Sequence, residues 1–129
     1  MDQKKEGTIL MVEDDKFFVK MFKDKFTKEG FDVMIALNGK EAFSKLKEKI
    51  PDIILLDLIM PVKDGFEFLK EVKEKEEYKD IPVVVLSVLG QTADIEKATQ
   101  LGVNDYIVKG EFRVSEVIEK IKQQLKKIK

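Results

Sequence analysis

The sequence predicts an α/β domain in which five parallel strands alternate with five helices. Four short apolar runs rich in Val and Ile occupy residues 8–12, 53–56, 82–86 and 106–108, and such runs are typical of strands buried on both faces. Segments with apolar residues at helical spacing separate them. Strict alternation of strand and helix indicates a parallel sheet that is covered by helices on both faces.

The first half of the chain supplies three strands and two helices. Residues 16–29 predict a helix that stops at Gly30, because apolar side chains recur at helical spacing. Its inward residues are Phe18, Met21, Phe22 and Phe26. Residues 31–37 are a second strand, and Asn38-Gly39 turns the chain into a second helix. The inward residues of that helix are Ala42, Phe43 and Leu46, and Pro51-Asp52 opens the third strand.

The second half repeats the alternation. A loop at residues 61–65 precedes the third helix, whose inward residues are Phe66, Leu69 and Val72. Residues 80–82 lead into the fourth strand, residues 91–101 predict a short helix, and residues 105–108 are the fifth strand. The apolar stripe of the last helix comprises Val114, Val117, Ile118, Ile121, Leu125 and Ile128.

Length and composition narrow the possible functions. The 129 residues suit a single domain over residues 1–129, with its core at about 8–127 and no output domain. The 24 basic and 25 acidic residues nearly cancel, which disfavours nucleic-acid binding. The chain has no Cys and no His, so it has no disulfide, Ser-His triad or His-ligated zinc. It has neither a secretory segment nor a membrane-spanning apolar stretch, so we expect a cytoplasmic protein.

Reactive side chains follow the ends of the four apolar runs. Glu13 and Asp14 follow the first run, Asp57 the second, Ser87 the third and Lys109 the fourth. The carboxyl ends of neighbouring parallel strands meet at one edge of the sheet, so we expect these side chains to lie together. Carboxylates bind a hard cation, whereas Lys and Ser bind the oxygens of an anion. The pattern indicates a metal-assisted phosphate site with a carboxylate at its centre.

These residues and their neighbours resemble the receiver domain of two-component response regulators. The matching segments are ILMVEDD (9–15), DLIMPVKDG (57–65), Ser87 and LGVNDYIVK (101–109). The resemblance covers about residues 8–127 and implies a flavodoxin-like fold with strand order 2-1-3-4-5.

The resemblance also implies a phosphoryl acceptor and a metal. Asp57 corresponds to the acceptor, and Mg²⁺ is the implied cofactor. Its protein ligands would be Glu13, Asp14, Asp57 and the backbone carbonyl of Ile59. Asp14 would bind the ion directly and Glu13 mostly through water, since Mg²⁺ takes six oxygens and keeps several waters. Asp15 is expected mainly to cap the first helix.

The remaining site residues are expected to contact and sense the phosphoryl group. Lys109 and Ser87 would bind its oxygens, and Tyr106 resembles the family's switch aromatic, which moves with Ser87. An alternative for Tyr106 is a half-buried tyrosine whose hydroxyl faces water. The output surface would comprise the fourth helix, fifth strand and fifth helix, at about residues 92–127. The domain would catalyse only its own aspartyl phosphorylation and dephosphorylation.

The implied partner is a sensor histidine kinase or a phosphotransfer protein, and the downstream target is not specified. We expect no membrane binding and no direct contact with nucleic acid. The same output surface could support a weak dimer, so the sequence leaves a monomer and a weak dimer open.

The sequence departs from the family pattern at three places. Gly110 follows Lys109 where the family usually has a cis proline, so the bond is either trans or a costly non-proline cis bond. Val88 stands where the family usually has a small residue, and it is expected to crowd the phosphoryl pocket. Ile59 and Leu89 are apolar, and we expect them to exclude attacking water from the phosphoryl group.

Three other functions fit these residues less well. A pseudo-receiver would keep the fold and never take phosphate, which the intact Asp57, Asp14, Ser87 and Lys109 disfavour. A phosphatase or phosphotransferase with an aspartyl-phosphate intermediate would need a further acid or base and a cap, for which the chain leaves no room. A flavodoxin would need a phosphate loop after the first strand, where the acids at residues 13–15 would repel an anion.

Overall fold

A computed structural model describes residues 6–128 and has the predicted alternation of strands and helices. The elements are β1 (Gly7–Val12), α1 (Lys16–Lys28), β2 (Phe31–Ala36), α2 (Gly39–Glu48), β3 (Ile53–Leu56), α3 (Gly65–Glu74), β4 (Val83–Ser87), α4 (Thr92–Gln100), β5 (Asp105–Val108) and α5 (Val114–Ile128). All strands are parallel, in the order β2-β1-β3-β4-β5. The flavodoxin-like fold with order 2-1-3-4-5 is therefore confirmed.

Some of the predictions concern residues that the structure does not describe. These are residues 1–5, where no secretory segment is expected, Lys129 and the side chain of Ile128. Within residues 6–128, no helix is both long and apolar enough to cross a membrane. The prediction of one domain without an output domain stays a prediction.

Small differences in the bounds arise at the helix ends. The sequence predicted that the first helix reaches Glu29 and that the fourth runs from Gln91 to Leu101. Glu29 and Leu101 are C-caps and Gln91 is an N-cap. Such flanking residues are only half in the helix, so the apolar periodicity extends one residue beyond the regular hydrogen bonding.

Side chains that alternate along each strand build two cores, one on each face of the sheet. On β1, Leu10 and Val12 join the core beneath α2, α3 and α4, whereas Ile9 and Met11 join the core beneath α1 and α5. This follows from the strand period of two residues. The central strands β1, β3 and β4 are consequently buried on both sides, as their continuous apolar runs predicted.

Short polar residues begin the first three helices. Asp15 accepts hydrogen bonds from the amides of Phe17 and Phe18, so the prediction that Asp15 caps the first helix is confirmed. Asn38 accepts from the amide of Glu41, and Asp64 accepts from that of Glu67. Asp15 and Asn38 start α1 and α2 within three residues of the preceding strands, whereas a longer loop separates β3 from Asp64.

Gly65 is required by a close approach of two backbone segments. A glycine at the end of a loop often serves to allow a positive φ, but that reason does not apply to Gly65. Its φ is not in the left-handed region. A Cβ there would lie 2.5 Å from the Cα of Leu58 and against the carbonyl oxygen of Asp57. The first residue of α3 therefore packs directly on the backbone that carries Asp57.

We expect Gly65→Ala to destabilise the protein by about 2–3 kcal/mol, because rigid backbone would have to move to admit the methyl group. Gly39→Ala is the matched control, since Gly39 is also the first residue of a helix behind an N-cap. Its Cβ would lie 2.8 Å from Cγ of Lys63, so the nearest atoms belong to a side chain rather than to backbone, and we expect a smaller loss of stability. Urea denaturation of both variants measures the difference. Equal losses of stability would contradict the backbone explanation.

Candidate functional site

Backbone hydrogen bonds extend the sheet by one residue at the edge where the reactive side chains lie. Three residues that immediately follow strands donate their amides to the neighbouring strand. The bonds run from Glu13 to the carbonyl of Ala36 (3.0 Å), from Asp57 to that of Val12 (2.9 Å) and from Lys109 to that of Ser87 (2.7 Å). The backbone of each residue is therefore fixed by the same pairing that forms the sheet.

The side chain of Lys109 forms ion pairs with two carboxylates. Its Nζ lies 2.7 Å from Oε1 of Glu13 and 3.5 Å from Oδ2 of Asp57. The three side chains are 9%, 3% and 6% exposed respectively. Poor solvation strengthens these contacts, because little water screens the charges. The expected meeting of Asp57 and Lys109 is present, and Glu13 is the closer partner of the ammonium.

Backbone amides orient the other oxygen of each buried carboxylate. Oε2 of Glu13 accepts a hydrogen bond from the amide of Asp15 (3.1 Å), and Oδ1 of Asp57 accepts one from the amide of Ile59 (3.2 Å). Glu13, the exposed Asp14 and Asp57 each offer an oxygen within 4.8 Å of the other two. Three converging carboxylate oxygens are a donor set that suits a hard divalent cation.

Burial and a neighbouring negative charge perturb the pKa of Glu13. Burial raises the pKa of Glu13 from 4.5 to about 7, the hydrogen bond from Lys109 opposes the rise, and the charge of Asp57 adds to it. Burial acts to lower the pKa of Lys109, but the carboxylates of Glu13 and Asp57 outweigh it, so this pKa is raised. Lys109 is therefore a cation at neutral pH, facing acids that compete for it.

Ser87 and Tyr106 are joined through the backbone of Leu89. Ser87 is fully buried, and its Oγ accepts a hydrogen bond from the amide of Leu89 (3.3 Å). The hydroxyl of Tyr106 donates to the carbonyl of Leu89 (2.5 Å). Burial raises the pKa of Tyr106, and the charges of Asp94 and Asp57 add to the rise. The hydroxyl thus binds the loop after β4, rather than facing water as the alternative interpretation held.

The backbone after Lys109 forms a turn that suits glycine. Gly110 has a φ of 89°, and the amide of Glu111 donates to the carbonyl of Val108 (3.2 Å). A residue with positive φ at the third place of a four-residue turn is usually Gly. No peptide bond among residues 6–128 is cis. The bond between Lys109 and Gly110 is therefore trans, which decides between the two possibilities that the sequence left open.

A family model described as the response regulator receiver domain matches residues 9–122. The chain belongs to the response regulator receiver domain family.

Solved receiver domains and response regulators have the same fold as this chain. It is 31% identical to the receiver domain of a Francisella response regulator, with 95% of this chain and 99% of that one covered and a TM-score of 0.87. It is 34% identical to the phosphorylated cyanobacterial phytochrome response regulator RcpA, with 92% and 90% covered and a TM-score of 0.79.

A third similar structure contains a metal. It is the receiver domain of a sensor histidine kinase from Pseudomonas aeruginosa PAO1, with a magnesium ion coordinated in its active site cleft. The present chain is 28% identical to the Pseudomonas domain, with 92% of the present chain and 96% of the Pseudomonas chain covered and a TM-score of 0.81.

Two aspects of this receiver domain were not apparent from its sequence. Glu13 contacts Lys109, although the sequence placed it only among the metal ligands. The ring of Phe18 faces Lys109, with 4.3 Å between the ring centroid and Nζ, although the sequence assigned Phe18 to the apolar face of α1. The sequence signal that could have indicated this contact is the position of Phe18 in the first turn of α1, three residues after the N-cap Asp15.

The side chains of Ile59 and Val88 are exposed at the edge of the site. The role of the Ile59 carbonyl as a metal ligand stays a prediction.

The raised pKa of Glu13 predicts how Glu13→Gln changes the pH dependence of stability. Glu13 takes up its proton at about pH 7 in the folded chain and near pH 4.5 when unfolded. The folded state therefore binds the additional proton between these values, and wild type loses stability relative to the variant as pH rises through this range. The relative loss is at most about 3 kcal/mol.

Urea denaturation in the presence of a chelator, from about pH 4.5 to about pH 8, measures this effect. Glu96→Gln, which removes an exposed acid on α4, controls for the change in net charge. A difference between wild type and Glu13→Gln that stays constant over the range would contradict the role assigned to Glu13.

Proposed function

We propose that this receiver domain accepts a phosphoryl group on Asp57 from a sensor histidine kinase or a phosphotransfer protein, in a Mg²⁺-dependent reaction. The observation that carries the proposal is the position of Asp57, buried at the sheet edge between Lys109 and two further acids. Phosphorylation would then change the surface formed by α4, β5 and α5, which would bind the downstream partner.

The buried charges suit phosphoryl transfer to a carboxylate. An oxygen of Asp57 would attack phosphorus as the bond from phosphorus to the donor nitrogen breaks. A carboxylate is a weak nucleophile, so the charge on the transferred group has to be neutralised. Lys109, within 3.5 Å of Asp57, would place its ammonium on the phosphoryl oxygens. Transfer would thus depend mainly on positioning and charge.

The three acids supply the site that the metal needs. Glu13, Asp14 and Asp57 would hold Mg²⁺ together with the backbone carbonyl of Ile59, and the bound ion would supply further positive charge to the phosphoryl oxygens. The magnesium ion of the similar Pseudomonas receiver domain supports this assignment. The phosphorylated state of the similar RcpA supports phosphorylation here.

The hydrogen bonds of Ser87 provide a route to the output surface. A phosphoryl group on Asp57 adds a charge of roughly −1.5 to −2. If the hydroxyl of Ser87 turned to that charge, it would weaken its bond with the amide of Leu89, whose carbonyl holds Tyr106. Movement of Tyr106 on β5 would then alter the surface next to α4. A complete switch needs about 5.5 kcal/mol of differential stabilisation, so we expect a partial shift.

We further propose a cytoplasmic domain that acts as a monomer or as a weak dimer through the surface of α4, β5 and α5. The near balance of 24 basic and 25 acidic residues supports action without direct binding to nucleic acid.

The proposal predicts that the wild-type protein gains one phosphoryl group when incubated with Mg²⁺ and acetyl phosphate, and that Asp57→Asn gains none. Intact mass spectrometry measures the adduct, with and without a chelator. Asp15→Asn is the matched control, because Asn also caps a helix and Asp15 lies outside the group of three acids. It should be phosphorylated like wild type.

An adduct that persists in Asp57→Asn would contradict the assigned acceptor. Wild type that binds Mg²⁺ without forming an adduct would require a kinase as the donor. Wild type that neither binds Mg²⁺ nor forms an adduct would favour the pseudo-receiver.

Ile59→Asn is expected to shorten the lifetime of the aspartyl phosphate by roughly an order of magnitude, which is about 1.4 kcal/mol in the hydrolytic barrier. The apolar side chain adjoins the backbone amide that contacts Asp57, and an amide side chain there could bring water to the phosphoryl group. The measurement is the decay of the phosphorylated mass after removal of the donor.

Val62→Asn is the matched control for this prediction. Val62 lies in the same loop, is 78% exposed, compared with 49% for Ile59, and has a φ of 69°, which Asn tolerates. Equal lifetimes in Ile59→Asn and wild type would contradict a water-excluding role for Ile59.

A further inference from the structure

We propose that Phe18 is a positioning residue that holds the ammonium of Lys109 at the phosphoryl site through the face of its aromatic ring. The proposal rests on the proposed function in one respect, since it assumes that Lys109 acts on the phosphoryl group. It adds a neutral partner for Lys109, supplied by the first turn of α1.

Lys109 has partners of two kinds. Two are the carboxylates of Glu13 and Asp57, at 2.7 Å and 3.5 Å from Nζ. The third is the ring of Phe18, whose centroid lies 4.3 Å from Nζ. A cation within about 6 Å of a ring centroid is attracted by the negative face of the ring, more strongly when water is excluded. With its side chain 9% exposed, Lys109 meets the second condition.

The ring differs from the carboxylates in that its attraction does not depend on other ligands of the site. Glu13 and Asp57 are also the acids proposed to hold the cation and to receive the phosphoryl group. Whenever they engage those groups, their hold on Lys109 changes. The quadrupole of Phe18 is fixed, so the ring keeps the ammonium near Asp57 while the charged partners change.

The ring of Phe18 is itself held by a column of aromatic side chains. Phe18 stacks on Phe22 at 6.1 Å and 14°, and Phe22 stacks on Phe26 at 6.0 Å and 28°. Phe26 meets Phe31 edge to face at 5.6 Å. Phe22, Phe26 and Phe31 are buried in the core beneath α1 and α5. This support restricts rotation of the Phe18 ring, so its face stays directed at Lys109.

A second contact between a lysine and an aromatic ring shows how the contact of Lys109 with Phe18 differs. Lys97 lies 4.1 Å from the ring centroid of Phe66. Lys97 belongs to α4 and is exposed, whereas Lys109 is buried against two carboxylates. Of these two rings, the ring of Phe18 is therefore the one that acts on a cation whose position matters for the proposed chemistry.

Two variants of Phe18 test the proposal. Phe18→Leu removes the ring and keeps an apolar side chain, and Phe18→Tyr keeps the ring. Phe17→Leu is the matched control, because Phe17 adjoins Phe18 on α1 and is 73% exposed. We expect Phe18→Leu to take up phosphate from acetyl phosphate about five- to thirtyfold more slowly at saturating donor. Phe18→Tyr and Phe17→Leu should stay near wild type.

Two further measurements separate positioning from general packing. In a Lys109→Ala background, Phe18→Leu should cause no additional slowing, since the two residues act as one unit. By NMR, the side-chain CH₂ protons next to Nζ of Lys109 should be shifted upfield by the ring current in wild type and in Phe18→Tyr. That shift should be lost in Phe18→Leu, and Lys109→Ala assigns the signal.

The proposal is overturned if Phe18→Leu is phosphorylated at the wild-type rate, or if it slows the reaction equally in the Lys109→Ala background. An unshifted Lys109 signal in wild type would also overturn it. Wild type that neither binds Mg²⁺ nor takes up a phosphoryl group would instead overturn the proposed function. In that case the NMR signal still decides whether Phe18 positions Lys109.

Discussion

The parallel pairing of the strands, continued for one residue beyond their ends, is the constraint on which this receiver domain depends. The amides of Glu13, Asp57 and Lys109 complete the hydrogen bonding of β2, β1 and β4 respectively. A slip in register by one residue would move these side chains to the opposite face of the sheet. The same pairing that buries the central strands therefore brings two buried acids and a lysine to one edge, and the α1 and α3 caps fix the loops beside them.

That arrangement concentrates charge where water is scarce. Unpaired buried charges are costly, and here a single ammonium serves two buried carboxylates. Burial raises the pKa of Glu13, and the charge of Asp57 adds to the rise. A divalent cation among the three acids would offset the excess negative charge, so the same clustering of acids that is costly by itself would favour binding of a metal. The charges of Glu13, Asp57 and Lys109 thus affect both the stability of the fold and the proposed chemistry of the site.

Both cores of the domain contribute to the site. From the core beneath α1 and α5, the aromatic column ends in Phe18, whose ring faces Lys109. From the core beneath α2, α3 and α4, Leu89 and Tyr106 extend to the hydroxyl of Ser87. On the side of Phe18 the site is therefore formed by packed aromatic rings. On the side of Ser87 it is formed by hydrogen bonds, which can exchange partners. This asymmetry fits a site that holds its lysine and transmits a change through its serine.

The sequence by itself determined the elements, the parallel pairing of the strands and the set of residues at the sheet edge, whereas the strand order followed from the resemblance to receiver domains. It could do so because apolar periodicity fixes which faces are buried, and burial of a parallel sheet brings its carboxyl ends together. Only the tertiary structure decided that Lys109 lies closer to Glu13 than to Asp57 and that Phe18 faces it. It also decided that Gly65 is required by backbone contact. These features depend on distances between segments that only the folded chain brings into contact, which no apolar periodicity records.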